Sequence, residues 1–205
     1  LSENKVLSSV KDEELIKKRR DQMIKGALIL FKEKGFHRTT TREIAKESGF
    51  SIGTLYEYIR TKEDVLYLVC DSIHGEVKKR LEAVVDLKQP STENLCNVIT
   101  SFFHLMDEMQ EEILILYQEV KSLSKETRVY ILQKEREMAD MLEKAIITCL
   151  PHKLAKQDTA LLANNILIQG HMWGFRRWMV QKEFTLEEYI ERQLNFALRS
   201  MGIKS

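Results

Sequence analysis

Apolar residues along this chain recur at intervals of three and four rather than two, the period of helices packed on one side. Two prolines, Pro90 and Pro151, and eight glycines are all that interrupt the pattern, so the expected class is all-α. The spacing predicts a first helix over 12–34, with Ile24, Ala27, Leu28 and Phe31 on one stripe and Gly35 as its left-handed stop. Thr40 with Glu43 forms a capping box that opens a helix over 41–47, and Thr61 with Asp64 is a weaker version opening a longer helix that reaches about Leu87. Beyond "DLKQPST" the period resumes near 92–122, 125–149, 157–181 and 186–201. Thr185 with Glu188 caps the last of these, Phe184 and Tyr189 sit where a hydrophobic staple would, and Gly202 closes it. There is no internal repeat and no low-complexity segment.

Composition narrows the class further. The 205 residues are 43% hydrophobic and 31% charged, the balance of a globular chain rather than a disordered one. No apolar run approaches the ~18–20 residues that span a bilayer, and the N-terminus lacks a signal peptide's apolar block, so a cytoplasmic location is expected. Cys70, Cys96 and Cys149 are widely spaced with no C-x-x-C, which fits reduced packing residues better than a disulfide framework or zinc finger; a thiol sensor is the alternative. The net charge of +1 conceals an asymmetry: 14 basic against 9 acidic residues up to Lys62, then 18 against 22. A basic front end suits a polyanion partner, or is simply a solvated face.

Between 41–47 and a short helix over 52–59 lies "SGF", a turn of about three residues with Gly49 where a positive φ is needed. Ile44 and Ala45 would face inward, Leu55 and Ile59 would anchor the second helix to the same core, and Ser51 can cap it. The outward set then includes Gly53, Thr54, Tyr56 and Tyr58. Hydroxyls and helix N-terminal N–H groups bind phosphate oxygens, and a bare glycine lets backbone lie against a base edge. The same pattern would also fit an ordinary helical corner with tyrosines as half-buried spacers.

The run "FHRTTTREIAKESGFSIGTLYEYIRTKEDVL", preceded by "ALILFKEKG", resembles the DNA-binding domain of the TetR family of transcriptional repressors. The resemblance covers about Lys18 to Leu66. It implies an N-terminal three-helix helix-turn-helix head (1–65) joined by a shared long helix to a C-terminal helical bundle for ligand sensing and dimerisation (66–205). It also implies roles: Arg42 faces the groove, where its guanidinium can bond guanine O6 and N7; Thr40, Thr41, Ser51, Gly53, Thr54, Tyr56 and Tyr58 border the duplex; and Lys62 clamps a phosphate at a helix N-terminus. Ile52 departs from the pattern, since that position is more often polar. It either packs inward, three before Leu55, or meets a thymine methyl.

For the bundle, the resemblance implies a homodimer formed by the last two helices, with Gly170, Gly174, Tyr189, Leu194 and Leu198 as candidates. The two glycines each cost a helix about 1 kcal/mol relative to Ala, an expense that a close-packed partner helix would offset. A local kink, or a ligand against the backbone, is the alternative reading. Phe102, Phe103, Met106, Met109, Tyr117, Met138, Met141 and Trp173 read first as core. The resemblance implies a cavity among them for an apolar effector, which Arg176 or Arg177 could hold by a carboxylate or phosphate if it were a fatty acyl thioester; a plain ion pair is the other reading.

His74, His104, His152 and His171 lack metal-ligand spacing, and no nucleophile elbow, phosphate loop or zinc-protease motif is present. No cofactor or metal is expected, and an enzyme is disfavoured. The expected function is a dimeric, ligand-responsive repressor that binds a palindromic double-stranded DNA operator and a small-molecule effector, with no membrane partner. A helical protein-interaction module with a basic head is the alternative.

Overall fold

The computed structural model describes residues 6–84 and 90–203. Its helices are α1 (Glu13–Lys34), α2 (Thr41–Glu47), α3 (Ile52–Tyr58), α4 (Lys62–Val84), α5 (Thr92–Glu108), α6 (Gln110–Glu119), α7 (Lys125–Cys149), α8 (Lys156–Phe175), α9 (Arg177–Glu183) and α10 (Leu186–Ser200), with a 3₁₀ turn at Val120–Ser122. The architecture is all-α among the described residues, with an N-terminal three-helix head, the long α4 and a C-terminal helical bundle. The tail of the predicted long helix, 85–87, lies outside the described residues. No helix described is long and apolar enough to cross a membrane.

Local chemistry sets most boundaries. The Asp12 carboxylate accepts from Leu15 N and starts α1. Thr40 and Glu43 exchange both bonds of a capping box at α2, as Thr185 and Glu188 do at α10. Thr61 and Asp64 likewise trade backbone and side-chain bonds ahead of α4. After α2, Gly49 takes φ 75° while Phe50 N reaches Ala45 O and Gly49 N reaches Lys46 O, a Schellman turn that a residue with Cβ would strain.

Two predicted segments are broken where periodicity showed nothing. The 92–122 segment divides at Met109 (φ −106°, ψ 17°) and again at the 3₁₀ turn, and 157–181 divides at Arg176 (φ −109°, ψ 24°). Neither kink has a proline. A lateral contact joins the two breaks: Trp173 Nε1 donates to Asp107 Oδ1 at 2.6 Å, and Gln181 Nε2 donates both to Gln110 Oε1 and to Trp173 O at 3.0 Å. The last bond satisfies the Trp173 carbonyl at the break, so the kink leaves no orphan there.

The chain forms two compact units, Leu1–Gly75 with Leu114–Lys134, and Glu76–Ile113 with Glu135–Ser205. In the first, α1 packs on α2 and α3 around Met23, Ala27, Leu30, Phe31, Phe36, Ile44, Leu55 and Ile59, all buried. The buried stripe of α1 is therefore Met23, Gly26, Ala27, Leu30 and Phe31, with Ile24 and Leu28 only half-buried, a rotation from the predicted face. Gly26 explains it: a Cβ there would stand 2.6 Å from Ser48 Oγ, so α1 must turn this position toward α2.

In the second unit α5 packs on α8 and α10. Phe102, Phe103 and Met106 are buried, Tyr189 stacks against both Phe103 and Trp173 with centroids 5.9 and 5.1 Å apart, and its hydroxyl donates to Gln169 O at 2.7 Å. Burial pushes that phenol up to about 12. Gly170 and Gly174 are spent inside this unit: added Cβ atoms would lie 2.5 Å from Phe102 Cε1 and 3.1 Å from Gln110 Cβ. The close approach that offsets their helix cost is thus made by α5 and α6 of the same chain, which corrects the expectation of a partner helix at these two positions.

Candidate nucleic-acid interface

The helix-turn-helix presents its polar residues on α2 and the N-terminal half of α3. Arg42 is exposed and has no partner among the described residues. Thr41 Oγ1 and the Tyr56 hydroxyl lie 3.1 Å apart, tying the two helices together at the surface, and Tyr56 remains 49% exposed. Ser51 Oγ accepts from Thr54 N and lies 2.9 Å from Thr54 Oγ1. Gly53 is exposed, and the nearest atom to an added Cβ would be Ser51 Oγ at 3.6 Å. Ile52 is 38% exposed, so it faces outward with the polar set rather than into the core. Arg38, Lys46 and Arg60 of the same head are also exposed.

Two of the sequence candidates sit differently. Tyr58 is only 3% exposed, a correction to its expected outward face. The helix ends after it, and Tyr58 lies three residues beyond Leu55 on the same inward side. Lys62 is half-buried, and its Nζ donates to Phe36 O and Thr39 O at 3.0 Å and to His37 O at 3.4 Å. Thr40 is engaged as the α2 cap, leaving its hydroxyl bonded to Glu43 Oε2 at 2.8 Å. Lys34, with the Thr40 N–H and hydroxyl, holds the Glu43 carboxylate down at about 2.

Sequence reasoning missed the docking of the segment before α1. Ser9 N and Ser8 Oγ donate to Glu57 O at 2.8 and 3.0 Å, occupying a carbonyl left open at the C-terminus of α3. The Arg20 guanidinium donates to Val6 O and Tyr58 O, so the same segment is tethered from α1. Burial lowers the Arg20 pKa from its ordinary value, with Asp64 opposing that effect. The only sequence signal was the pair of serines in "LSSV".

In the second unit the structure brings together Phe102, Phe103, Met106 and Trp173 from the candidate effector residues, all as core. Met138 is buried and Met141 half-buried on α7, whereas Tyr117 is 65% exposed and belongs to the first unit. A cavity of about 310 Å³ opens beside this core, lined by Phe103, Ile166, Gln169, Gln193, Phe196 and Ser200. Arg177 Nη1 pairs with Glu111 at 2.7 Å, while Arg176 lies 5.1 Å from the exposed Trp178 ring. Of the candidate dimer residues, Tyr189 and Leu198 are buried within the unit and Leu194 is half-buried. The exposed apolar residues of α8 and α10 are instead Leu161, Ile168 and Phe196.

Two family models match the chain: bacterial regulatory proteins of the tetR family over residues 23–67, and the tetracyclin repressor-like C-terminal domain over 88–201. The HTH-type transcriptional regulator HbdR of Aromatoleum sp. (strain CIB) is 32% identical over 198 residues, 94% of this chain and 85% of that protein. The fatty acid metabolism regulator protein of Bacillus subtilis (strain 168) is 33% identical over 85 residues, 42% of this chain and 44% of that one. Among solved structures, AibR in complex with isovaleryl coenzyme A and operator DNA has a TM-score of 0.70 at 20% identity, over 87% of this chain and 97% of that one.

Proposed function

Because the chain belongs to the tetR family of bacterial regulatory proteins, ligand-responsive DNA-binding regulators and not enzymes, we propose that it is a homodimeric repressor released from a palindromic operator by an acyl-coenzyme A thioester. The observation that carries the DNA half is the outward set on α2 and α3, an exposed Arg42 with no partner among the described residues beside Thr41, Ile52, Gly53 and Tyr56. Residues 1–65 act as the DNA-binding domain and 66–205 as the sensing and dimerisation domain. Arg42 reads a guanine; Thr40, Thr41, Ser51, Thr54 and Tyr56 meet phosphates; Gly53 gives room for backbone approach; and Ile52 meets a thymine methyl. Tyr58 supports this surface from beneath.

Two heads about 34–36 Å apart or somewhat more would read half-sites one helical turn apart. The dimer face is the exposed apolar set of α8 and α10, Leu161, Ile168 and Phe196, with Leu194 at its edge. Support for the effector comes from relatives: AibR is solved with isovaleryl coenzyme A, and the Bacillus subtilis protein is named for fatty acid metabolism. The acyl chain would lie along Phe102, Phe103, Met106, Met138, Met141 and Trp173 with Arg176 at a polar end, which requires these packed side chains to part. Methionine suits that demand, being unbranched and adaptable. Release needs an effector that favours the non-binding conformation; a tenfold loss of operator affinity corresponds to about 1.4 kcal/mol of differential binding.

The test begins with selection of a duplex from a random pool by the purified protein. The selected sequence should be two-fold symmetric, and isovaleryl-CoA or a longer acyl-CoA should release it where coenzyme A alone does not. An asymmetric site, or affinity unchanged by every acyl-CoA at saturation, overturns the respective half.

A further inference from the structure

The last turn of a helix leaves carbonyls with no intrahelical partner. With only seven residues, α3 is too short to hold itself in water, so its ends depend on what the rest of the head supplies. Its N-terminus is closed locally by Ser51, whose Oγ accepts from Thr54 N. Its C-terminus has no glycine stop: Ile59 follows in extended backbone, and its N–H reaches Leu55 O at 3.3 Å.

The carbonyls of Glu57 and Tyr58 are closed from far away in sequence. Glu57 O accepts from Ser9 N at 2.8 Å, Ser8 Oγ at 3.0 Å and Ser9 Oγ at 3.1 Å, while Val10 N donates to Ser8 Oγ at 3.2 Å and folds the segment onto itself. Tyr58 O accepts from Arg20 Nη2 at 3.4 Å, and the same nitrogen donates to Val6 O. That guanidinium is half-buried and its Nε has no partner among the described residues, so it gives up hydration to stand there. Residues 6–10 and Arg20 thus do for α3 what a C-cap does elsewhere. Both precede residue 23, where the match to the tetR family model begins, so this cap lies outside the matched motif.

We propose that residues 6–10 form a splint, locked by Arg20, that holds the C-terminal turn of α3 and so sets how Tyr56 and the outward face of that helix meet the operator. This rests on the DNA-binding reading above. Ser9 and Arg20 are positioning residues, acting through the Glu57 and Tyr58 carbonyls. Tyr56 directly precedes those carbonyls and bridges to Thr41 on α2, so a frayed last turn would loosen the tie between the two helices as well. The loss falls on sequence recognition, since base contacts need a fixed α3 whereas phosphate attraction does not.

The experiment compares wild type with Ser9→Pro, which removes the N–H and the hydroxyl that meet Glu57 O, and with Arg20→Met, which keeps an apolar stem without the guanidinium. Amide hydrogen exchange of the free protein is followed over α3, with α10 as internal reference. The active fraction of each variant is then measured on the duplex selected by wild type and on a scrambled duplex over a salt series. The splint predicts faster exchange across 55–59 with α10 unchanged. It also predicts a selected-to-scrambled ratio lowered about tenfold, comparable to one mismatched base pair, with the slope of log affinity against log salt unchanged. Ser9→Ala, which keeps the N–H, should fall between Ser9→Pro and wild type.

The proposal is overturned if α3 exchanges at the wild-type rate in both variants, or if it exchanges faster while the active fraction keeps the wild-type ratio. It is also overturned if Arg20→Met loses affinity equally on both duplexes with a slope shallower by about 1.8, the value for one phosphate per head at ~0.9 each, since Arg20 would then touch DNA itself. Should Arg20→Met fail to fold, Ser9→Pro and Ser9→Ala decide through exchange and ratio. If wild type binds no duplex at all, the DNA-binding reading is refuted and the proposal falls with it.

Discussion

Replacing Gly170 with alanine sets two effects of known size against each other. An exposed helix-interior glycine costs about 1 kcal/mol relative to alanine, so propensity alone predicts a gain. At Gly170 the new methyl would lie 2.5 Å from Phe102 Cε1, 2.9 Å from Met106 Cγ and 3.0 Å from Phe102 Cζ. Phe102 is 0% and Met106 1% exposed, so neither has room to swing away. Overpacking of this kind costs about 1–3 kcal/mol, and two crowded neighbours place it in the upper part of that range. The net expectation for Gly170→Ala is a loss of about 1–2 kcal/mol.

Gly75 is the control, being interior to α4 and exposed, with nothing within 4 Å of an added Cβ. Gly75→Ala should stabilise by about 0.5–1 kcal/mol. At roughly 2–4 °C per kcal/mol for a chain this long, thermal unfolding at fixed protein concentration should show Tm shifts of opposite sign. If Gly170→Ala raises Tm as Gly75→Ala does, then α8 does not lie against Phe102 as described and the packing argument is refuted.

Three further outcomes are expected. Arg42→Ala should cost about 1–3 kcal/mol on the selected duplex and relax preference at one position per half-site, checked by repeating the selection. The Glu43 carboxylate, held at about 2 against an ordinary 4.5 by Lys34 and the α2 cap, favours the folded head above pH 4.5, and that contribution is lost as pH falls toward 2; Glu43→Gln should flatten this part of an acid unfolding curve. Of the three thiols, Cys70 is buried and pushed up to about 12 by desolvation, and Cys149 is buried, so a thiol reagent at pH 8 should label only Cys96 until denaturant is added.

The head was largely legible because its signals are local. Thr40 with Glu43, Ser51 with Thr54 and the Schellman glycine Gly49 each act within about five residues, so spacing alone places α2 and α3. The same logic should have turned Tyr58 inward, one helical turn after Leu55. What spacing could not show depends on residues far apart in sequence. The kinks at Met109 and Arg176 are joined by Trp173 to Asp107, 66 positions away, and the lysine of α4 reaches back 26 positions to Phe36. Gly170 and Gly174 were recognised as close-approach positions, but a helical period cannot say which helix approaches.

The surface of α2 and α3 is tested most directly by fluorescence anisotropy of the wild-type chain on the selected duplex and on a scrambled duplex of equal length, over rising salt. The account predicts tight binding to the selected duplex at low salt, at least tenfold preference over the scrambled one, and affinity that falls linearly on logarithmic axes for both. Equal affinity for the two duplexes, or no binding to either at low salt, would contradict it.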